Sequence, residues 1–263
     1  MSATGALVGA PPARGPTPLL ETRGLDKSFG GLHVTRQVSL ALEPSARMGL
    51  IGPNGAGKTT LVNLMTGVLA PSAGSVWLNG EDVTRLSQPQ RVRRGLARTF
   101  QITQLAPRLP VRRQVELAIH QRTGTVDKLL RPLDAFTQVR DEAQRILHTL
   151  RLDALADCLP IALAYGEQRL IEIALALALR PRVLLLDEPM AGVPTGERRV
   201  ILDALDTLPT DLAILMIEHD MGLVFSFASR IVVMADGAVL ADGTPDEIRD
   251  HAGVRAVYLG AAA

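Results

Sequence analysis

Gly52-Pro53-Asn54-Gly55-Ala56-Gly57-Lys58-Thr59 fits the spacing Gly-x-x-x-x-Gly-Lys-Thr, with an apolar strand pattern before it and a helical pattern after it. Glycines at this spacing let the backbone curl so that its N–H groups face a phosphate chain, and a helix N-terminus adds positive potential. Lys58 brings a point charge for β- and γ-phosphates, Thr59 offers a hydroxyl to Mg²⁺, and Thr60 continues the same turn. A glycine-rich turn without a ligand is the plain alternative, and the strand-to-helix context weighs against it.

The run "RVLLLDEP" places Asp187 and Glu188 at the C-terminal end of a buried strand, where ligands sit in an open parallel sheet. Beside a phosphate loop the first acid suits Mg²⁺, directly or through water, and the second suits polarising an attacking water. Two solvated acids capping a strand would be the reading without that loop. His219 closes the next apolar run, "LAILMIEH", at a similar height in the sheet, where an imidazole can touch a γ-phosphate and orient the nucleophile. Taken alone, it would be a structural histidine.

The elements that must hold these residues follow from pattern. The chain has 263 residues, 47% hydrophobic and 21% charged, enough for a sizeable core. Residues 1–19, rich in Pro, Gly and Ala, read as a disordered leader, lacking the basic and apolar segments of a signal peptide. Short strand-like runs follow from Leu20 to Leu50, then the loop and its helix to about Gly67, then "GSVWLNGEDV" as a strand pair turning at Asn79-Gly80. Helical periodicity from about residue 112 to 180 marks an inserted helical block, and "RIVVMADGAVLADG" reads as a last hairpin turning at Asp236-Gly237.

Charge and cysteine content narrow the function class. Lys plus Arg number 28 against 27 Asp plus Glu, so the net charge of +1 exerts no general pull on nucleic acid or anionic lipid. Arg91, Arg93, Arg94 and Arg98 cluster, but with no interleaved aromatic residues for base stacking they read as a solvated helix face. A single cysteine, Cys158, forbids an internal disulfide and fits an intracellular address. No apolar run reaches the length of a membrane span; in "LAYGEQRLIEIALALALRPRVLLLDEP" the charges of Glu167, Arg169, Glu172, Arg180 and Arg182 interrupt it.

The order "GPNGAGKTT", "RTFQ", "LAYGEQ", "RVLLLDEP" and "IEHD" resembles the nucleotide-binding subunit of an ABC transporter from about Leu20 onward. "KSFGGLHV", "GLARTFQITQLAP", "AGVPTGE", "IEHDMGLV", "DGTPDEIR" and the terminal "VYLG" resemble the ATPases of branched-chain amino acid importers in particular. The resemblance implies an α/β phosphate-loop ATPase core with an antiparallel β subdomain, over residues 20–101 and 181–263, and an inserted helical subdomain over about 102–180. It implies ATP and Mg²⁺ as ligands, with Phe29 stacking on adenine and Gln101 contacting Mg²⁺ or the attacking water. It further implies that two subunits, identical or related, close head to tail. Ala164, Tyr165, Gly166 and Glu167 of "LAYGEQ" would then face the partner's ATP.

Other implied partners are transmembrane permease subunits, docking a coupling helix near "ITQLAPRLPVRRQVE", and indirectly a solute-binding protein. Nucleic acid is not among them. The implied place is the cytoplasmic face of the inner membrane, as a peripheral subunit. Two departures stand out: Ala164 replaces the usual serine, and "MAGVPTGE" lacks the aspartate of the common Ser-Ala-Leu-Asp loop. Rival readings are an ATPase of lipid or lipopolysaccharide export and a soluble nucleic-acid-associated ATPase. The second usually needs paired ATPase domains or a long coiled coil, which this chain lacks.

Overall fold

The computed structural model describes residues 17–99, 105–125 and 136–259. Apolar runs punctuated by Gly, Asn and Asp become β1 (Leu20–Phe29), β2 (Leu32–Leu42) and β3 (Arg47–Ile51), after which the chain turns into α1 (Lys58–Thr66). Then come β4 (Ala73–Leu78), β5 (Glu81–Asp82), α2 (Gln88–Arg93) and β6 (Leu96–Arg98). The block expected to be helical carries α3 (Val111–Thr123), α4 (Thr137–Thr149) and α5 (Tyr165–Ala178), and no strand among the described residues. The chain ends with β7 (Val183–Asp187), α6 (Thr195–Asp206), β8 (Ala213–Ile217), α7 (Met221–Phe227), β9 (Arg230–Ala235), β10 (Ala238–Gly243), α8 (Pro245–Asp250) and α9 (Ala252–Leu259). Both expected hairpin turns form with positive φ at their two central residues, 53° and 80° at Asn79-Gly80 and 48° and 82° at Asp236-Gly237. That geometry matches the right-handed twist of the flanking strands.

Two sheets result. One is antiparallel, in the order β2-β1-β4-β5; the other runs β10-β9-β3-β8-β7-β6 and is parallel except for its β10 edge. In β7 and β8 the side chains alternate between two cores. Leu184, Leu186, Ile214 and Met216 pack with the helical block, while Val183, Leu185, Ala213 and Leu215 pack with α1 and the antiparallel sheet. Burial on both faces explains why these strands read as unbroken apolar runs.

The structure moves one boundary and reassigns two arginines. Leu19, placed in the leader by composition, is 3% exposed and its N–H donates to Leu42 O at 2.8 Å, so it belongs to the core; residues 1–16 lie outside the described residues. Arg93 and Arg94 do face solvent, at the last position of α2 and just beyond it, but Arg91 is 1% exposed and Arg98 lies on β6, nearly buried. The Arg91 guanidinium donates to Leu64 O, Met65 O, Thr84 O and Leu86 O at 2.7–3.1 Å. Two of these are last-turn carbonyls of α1, where an α-helix runs short of internal donors and Leu64 O has only the Gly67 N–H at 3.3 Å besides, so Arg91 closes the end of the helix that begins on Lys58.

Replacing Arg91 with methionine keeps most of the volume and removes these four hydrogen bonds. We expect Arg91→Met to lower the unfolding free energy by about 3 kcal/mol, read from urea denaturation. An unchanged midpoint would remove this role.

Candidate nucleotide site

The loop leaving β3 can take its shape only because particular positions lack a side chain. A Cβ on Gly52 would lie 2.3 Å from Met234 O, and one on Gly57 would lie 2.7 Å from Val34 O. Gly57 also caps α1 with φ at 95°, in the left-handed region that glycine enters without penalty. Packed against β2 and β9 in this way, the stretch from Asn54 to Thr60 forms one wall of a cavity of 210 Å³, closed by Val34, Glu188 and His219.

Lys58 is 6% exposed, and its Nζ donates to Gly52 O at 2.6 Å and Pro53 O at 3.0 Å. Burial pushes the ammonium below its ordinary pKa, opposed by the negative charges of Glu188 and Asp187. An anion entering the cavity would relieve that burial penalty, since it favours the charged lysine.

Glu188 stands just past β7 with φ at 49°, a left-handed conformation costing a non-glycine residue on the order of 1–3 kcal/mol. The kink is held by its own N–H, which donates to Ile217 O at 2.9 Å. It turns the carboxylate into the cavity, where Oε1 lies 2.6 Å from His219 Nε2. β8 stops at Ile217, so His219 sits two residues beyond the strand. Its backbone N–H is fixed by the Glu218 carboxylate at 3.1 Å, whose other oxygen accepts from Met190 N–H at 2.8 Å. Glu218 is 4% exposed, and burial raises its pKa while those two N–H groups pull it down. Asp187 is 3% exposed behind Glu188, its Oδ2 2.5 Å from Arg98 Nη2.

Among the described residues, no three His, Cys, Asp or Glu side chains gather as a metal cage. A hydroxyl at Thr59 and a carboxylate at Asp187 suit Mg²⁺, which relies on few protein ligands and on substrate phosphates. They would hold such an ion, and its chemistry there would be to neutralise charge on the phosphates.

Of the remaining expected site residues, Phe29 and Ala164–Glu167 lie elsewhere. Phe29, at the end of β1, is 48% exposed with Lys27 Nζ 5.1 Å from its ring centroid, and it does not line the cavity. Gln101 falls outside the described residues. Ala164, Tyr165, Gly166 and Glu167 form the start of α5 and do not line the Lys58 cavity. Tyr165 and Gly166 pack instead on the segment following β7: the Tyr165 ring lies against Gly192, where a Cβ would come within 3.0 Å, and Gly166 N–H donates to Glu197 Oε2 at 3.3 Å. Arg169 holds the ring as well, donating to the Tyr165 hydroxyl at 2.8 Å with its guanidinium carbon 5.0 Å from the ring centroid.

Sequence reasoning missed Val34, Glu218, Arg98 and Tyr258. The last, quoted only within "VYLG", is a phenol whose pKa burial raises and which Gly52 N–H contacts. No local pattern marks any of these four; only the fold brings them to the site.

Ala164 is the N-cap of α5, with φ −62° and ψ 155° and no side-chain acceptor for the helix. Half of a capping box survives, because Ala164 N–H donates to Glu167 Oε2 at 2.9 Å. Ala164→Ser supplies the missing oxygen and should raise stability by about 1 kcal/mol in chemical denaturation. A neutral or negative change would show that the cap is satisfied without it.

Comparison with known proteins agrees with this geometry. Residues 35–191 match the family model described as ABC transporter, and residues 238–263 match that of the branched-chain amino acid ATP-binding cassette transporter. The chain is 39% identical over 254 residues to the high-affinity branched-chain amino acid transport ATP-binding protein BraF of Pseudomonas aeruginosa, covering 93% of this chain and 99% of that one. It is 33% identical over 247 residues to the lipopolysaccharide export system ATP-binding protein LptB of Acidithiobacillus ferridurans, covering 92% and 97%. Among solved structures, the ADP conformation of MJ1267, an ATP-binding cassette of an ABC transporter, superposes with a TM-score of 0.80 at 28% identity, covering 93% of this chain and 99% of that one.

Proposed function

The chain belongs to the ATP-binding subunits of ABC transporters, and from that premise we propose that it is the ATP-hydrolysing subunit of an importer for branched-chain amino acids. Support for the substrate class comes from the match over residues 238–263 and from the higher identity to BraF than to the lipopolysaccharide exporter's subunit. The observation that carries the chemistry is the meeting of Lys58, Glu188 and His219 in one cavity, with Glu188 and His219 2.6 Å apart.

In this reading the loop amides and Lys58 bind the ATP phosphates, Phe29 stacks on adenine, and Thr59, Asp187 and Gln101 hold Mg²⁺. Glu188 accepts the proton of the attacking water, and His219 orients that water and the γ-phosphate. Catalysis is then mainly positioning and electrostatics, as phosphoryl transfer requires. Ala164–Glu167 complete the site of a second subunit of the same or a related kind. Gly166 permits close backbone approach to that subunit's γ-phosphate, and the α5 N-terminus favours its negative charge.

No helix among the described residues is long and apolar enough to cross a membrane. We assign the chain to the cytoplasmic face of the membrane, held there by permease subunits. A groove of 420 Å³ between β6, α3 and α5, lined by Leu105, Leu109, Leu117 and Leu175 among others, has the apolar character a permease coupling helix needs. Leu117, 41% exposed, stands in its wall.

Glu188→Gln should bind ATP as the parent does and hydrolyse it at least about 100-fold more slowly, the usual worth of a general base; near-normal turnover would refute the base assignment. In that hydrolysis-deficient background, adding Ala164→Ser should tighten ATP-dependent dimerisation about tenfold, the equivalent of one charge-assisted hydrogen bond. Sedimentation reads this directly, and no change would mean the missing hydroxyl is irrelevant. Co-purification with membrane partners, followed by uptake assays on Leu, Ile, Val and urea, tests the importer reading; export activity or nucleic acid recovery would overturn it.

A further inference from the structure

Arg98 lies between the two elements that carry the metal-binding side chains of the proposed function, and it bonds to both. Its Nη2 donates to Asp187 Oδ2 at 2.5 Å and its Nη1 to Asn63 Oδ1 at 2.7 Å. Asp187 ends β7, next to β6 in the sheet, where Arg98 pairs with Leu185. Asn63 follows Thr59 by one turn of α1, so the two share a face of that helix. The guanidinium, side chain 10% exposed, therefore spans from the Thr59 helix to the Asp187 strand.

The bond geometry is specific to this residue type. A guanidinium is a rigid planar fork that can serve two acceptors at a fixed angle, whereas a lysine ammonium is a point charge on a flexible stem. Occupying Asp187 Oδ2 leaves Oδ1 as the carboxylate atom free of this bridge. The Asp187 N–H also donates to Thr99 Oγ1 at 3.4 Å, from the residue that follows Arg98. Nε of Arg98 is buried with no acceptor among the described residues. Among the described residues the placement is therefore set by the Asp187 and Asn63 bonds.

We propose that Arg98 is a positioning residue for Mg²⁺: by holding Asn63 and Asp187 at once, it fixes the Thr59 hydroxyl and the Asp187 carboxylate at the separation the ion needs. The inference rests on the reading of Thr59 and Asp187 as metal ligands. Two effects oppose each other. The cation repels Mg²⁺, while its hydrogen bonds orient the carboxylate. The orientation term wins, because partners behind a metal ligand typically change metal affinity by about 10–100-fold when removed.

Equilibrium binding of a fluorescent ATP analogue to the full chain, with EDTA and then across a Mg²⁺ titration, separates these effects without measuring turnover. Arg98→Lys keeps the charge and removes the fork. It should leave metal-free nucleotide affinity within about twofold of the parent and raise the Mg²⁺ midpoint about tenfold. Asn63→Ala leaves the Arg98–Asp187 pair intact and so protects the fold. It should shift the midpoint the same way by about threefold. An unchanged midpoint in both variants, or a parallel loss of metal-free binding, would reduce Arg98 to a structural brace. A tighter midpoint in Arg98→Gln would show that charge repulsion dominates, and would overturn the proposal. A parent chain whose nucleotide binding ignores Mg²⁺ would instead sink the metal-ligand reading, and the inference with it.

Discussion

Everything at the site depends on the register between β7 and β8, in which Asp187 lies opposite Ile217. Both strands are buried on both faces, and their alternate side chains enter two different cores. A slip of one residue would exchange those cores, moving Leu184 and Leu186 to the face occupied by Val183 and Leu185, so the pairing has one solution. With the register set, Glu188 N–H meets Ile217 O and the chain kinks into a left-handed conformation. The carboxylate then reaches His219, which is remote from it in sequence. The neighbouring pairing of β3 with β8, Leu50 opposite Ile217, brings the Lys58 loop to the same edge. Chemistry at the C-terminal edge of this sheet is thus a consequence of apolar packing within it.

The segment after β7 links the two functional surfaces of the chain. Met190 N–H is fixed by Glu218, the residue before His219, while Gly192 receives the Tyr165 ring and Glu197 accepts from Gly166 N–H. Within eight residues the backbone touches the support of this chain's own cavity and the helix start that the proposed dimer would present to its partner. The contact between Tyr165 and Gly192 is an exchange of volume: a bulky residue opens α5 and glycine makes room for it. Without the usual aspartate in this segment, its hold on the site comes from backbone N–H groups meeting carboxylates of Glu218 and Glu197.

Arginines at Arg91 and Arg98 illustrate how charge is used inside the fold. Neither is a solvated surface residue. Arg91 spends its donors on carbonyls, two of them at the end of α1, and Arg98 on Asn63 and Asp187, so one helix is gripped at its end and along its side. A buried guanidinium is tolerated only with such partners, because an unpaired charge in the interior is far costlier than the hydrogen bonds are worth. The helix that presents Lys58 and Thr59 is consequently among the most firmly tethered parts of the site.

Sequence by itself determined the residues whose role is local. The glycine and lysine spacing from Gly52 to Thr59, the acids ending an apolar run at Asp187 and Glu188, the hairpin turns at Asn79-Gly80 and Asp236-Gly237 and the polar opening of α5 all follow from backbone conformations set within a few residues. The identity of the family was legible for the same reason. Tertiary structure alone decided which members of an arginine cluster are buried, that Leu19 belongs to the core, that Val34 and Tyr258 stand at the phosphate loop, and that Glu218 braces His219. Arg91 and Arg93 have the same chemistry and nearly the same neighbours in the chain, yet one is 1% exposed and the other faces solvent. What separates them is the turn of a short helix against the end of α1. Burial depends on segments far apart in sequence meeting in space, and residue spacing does not encode that.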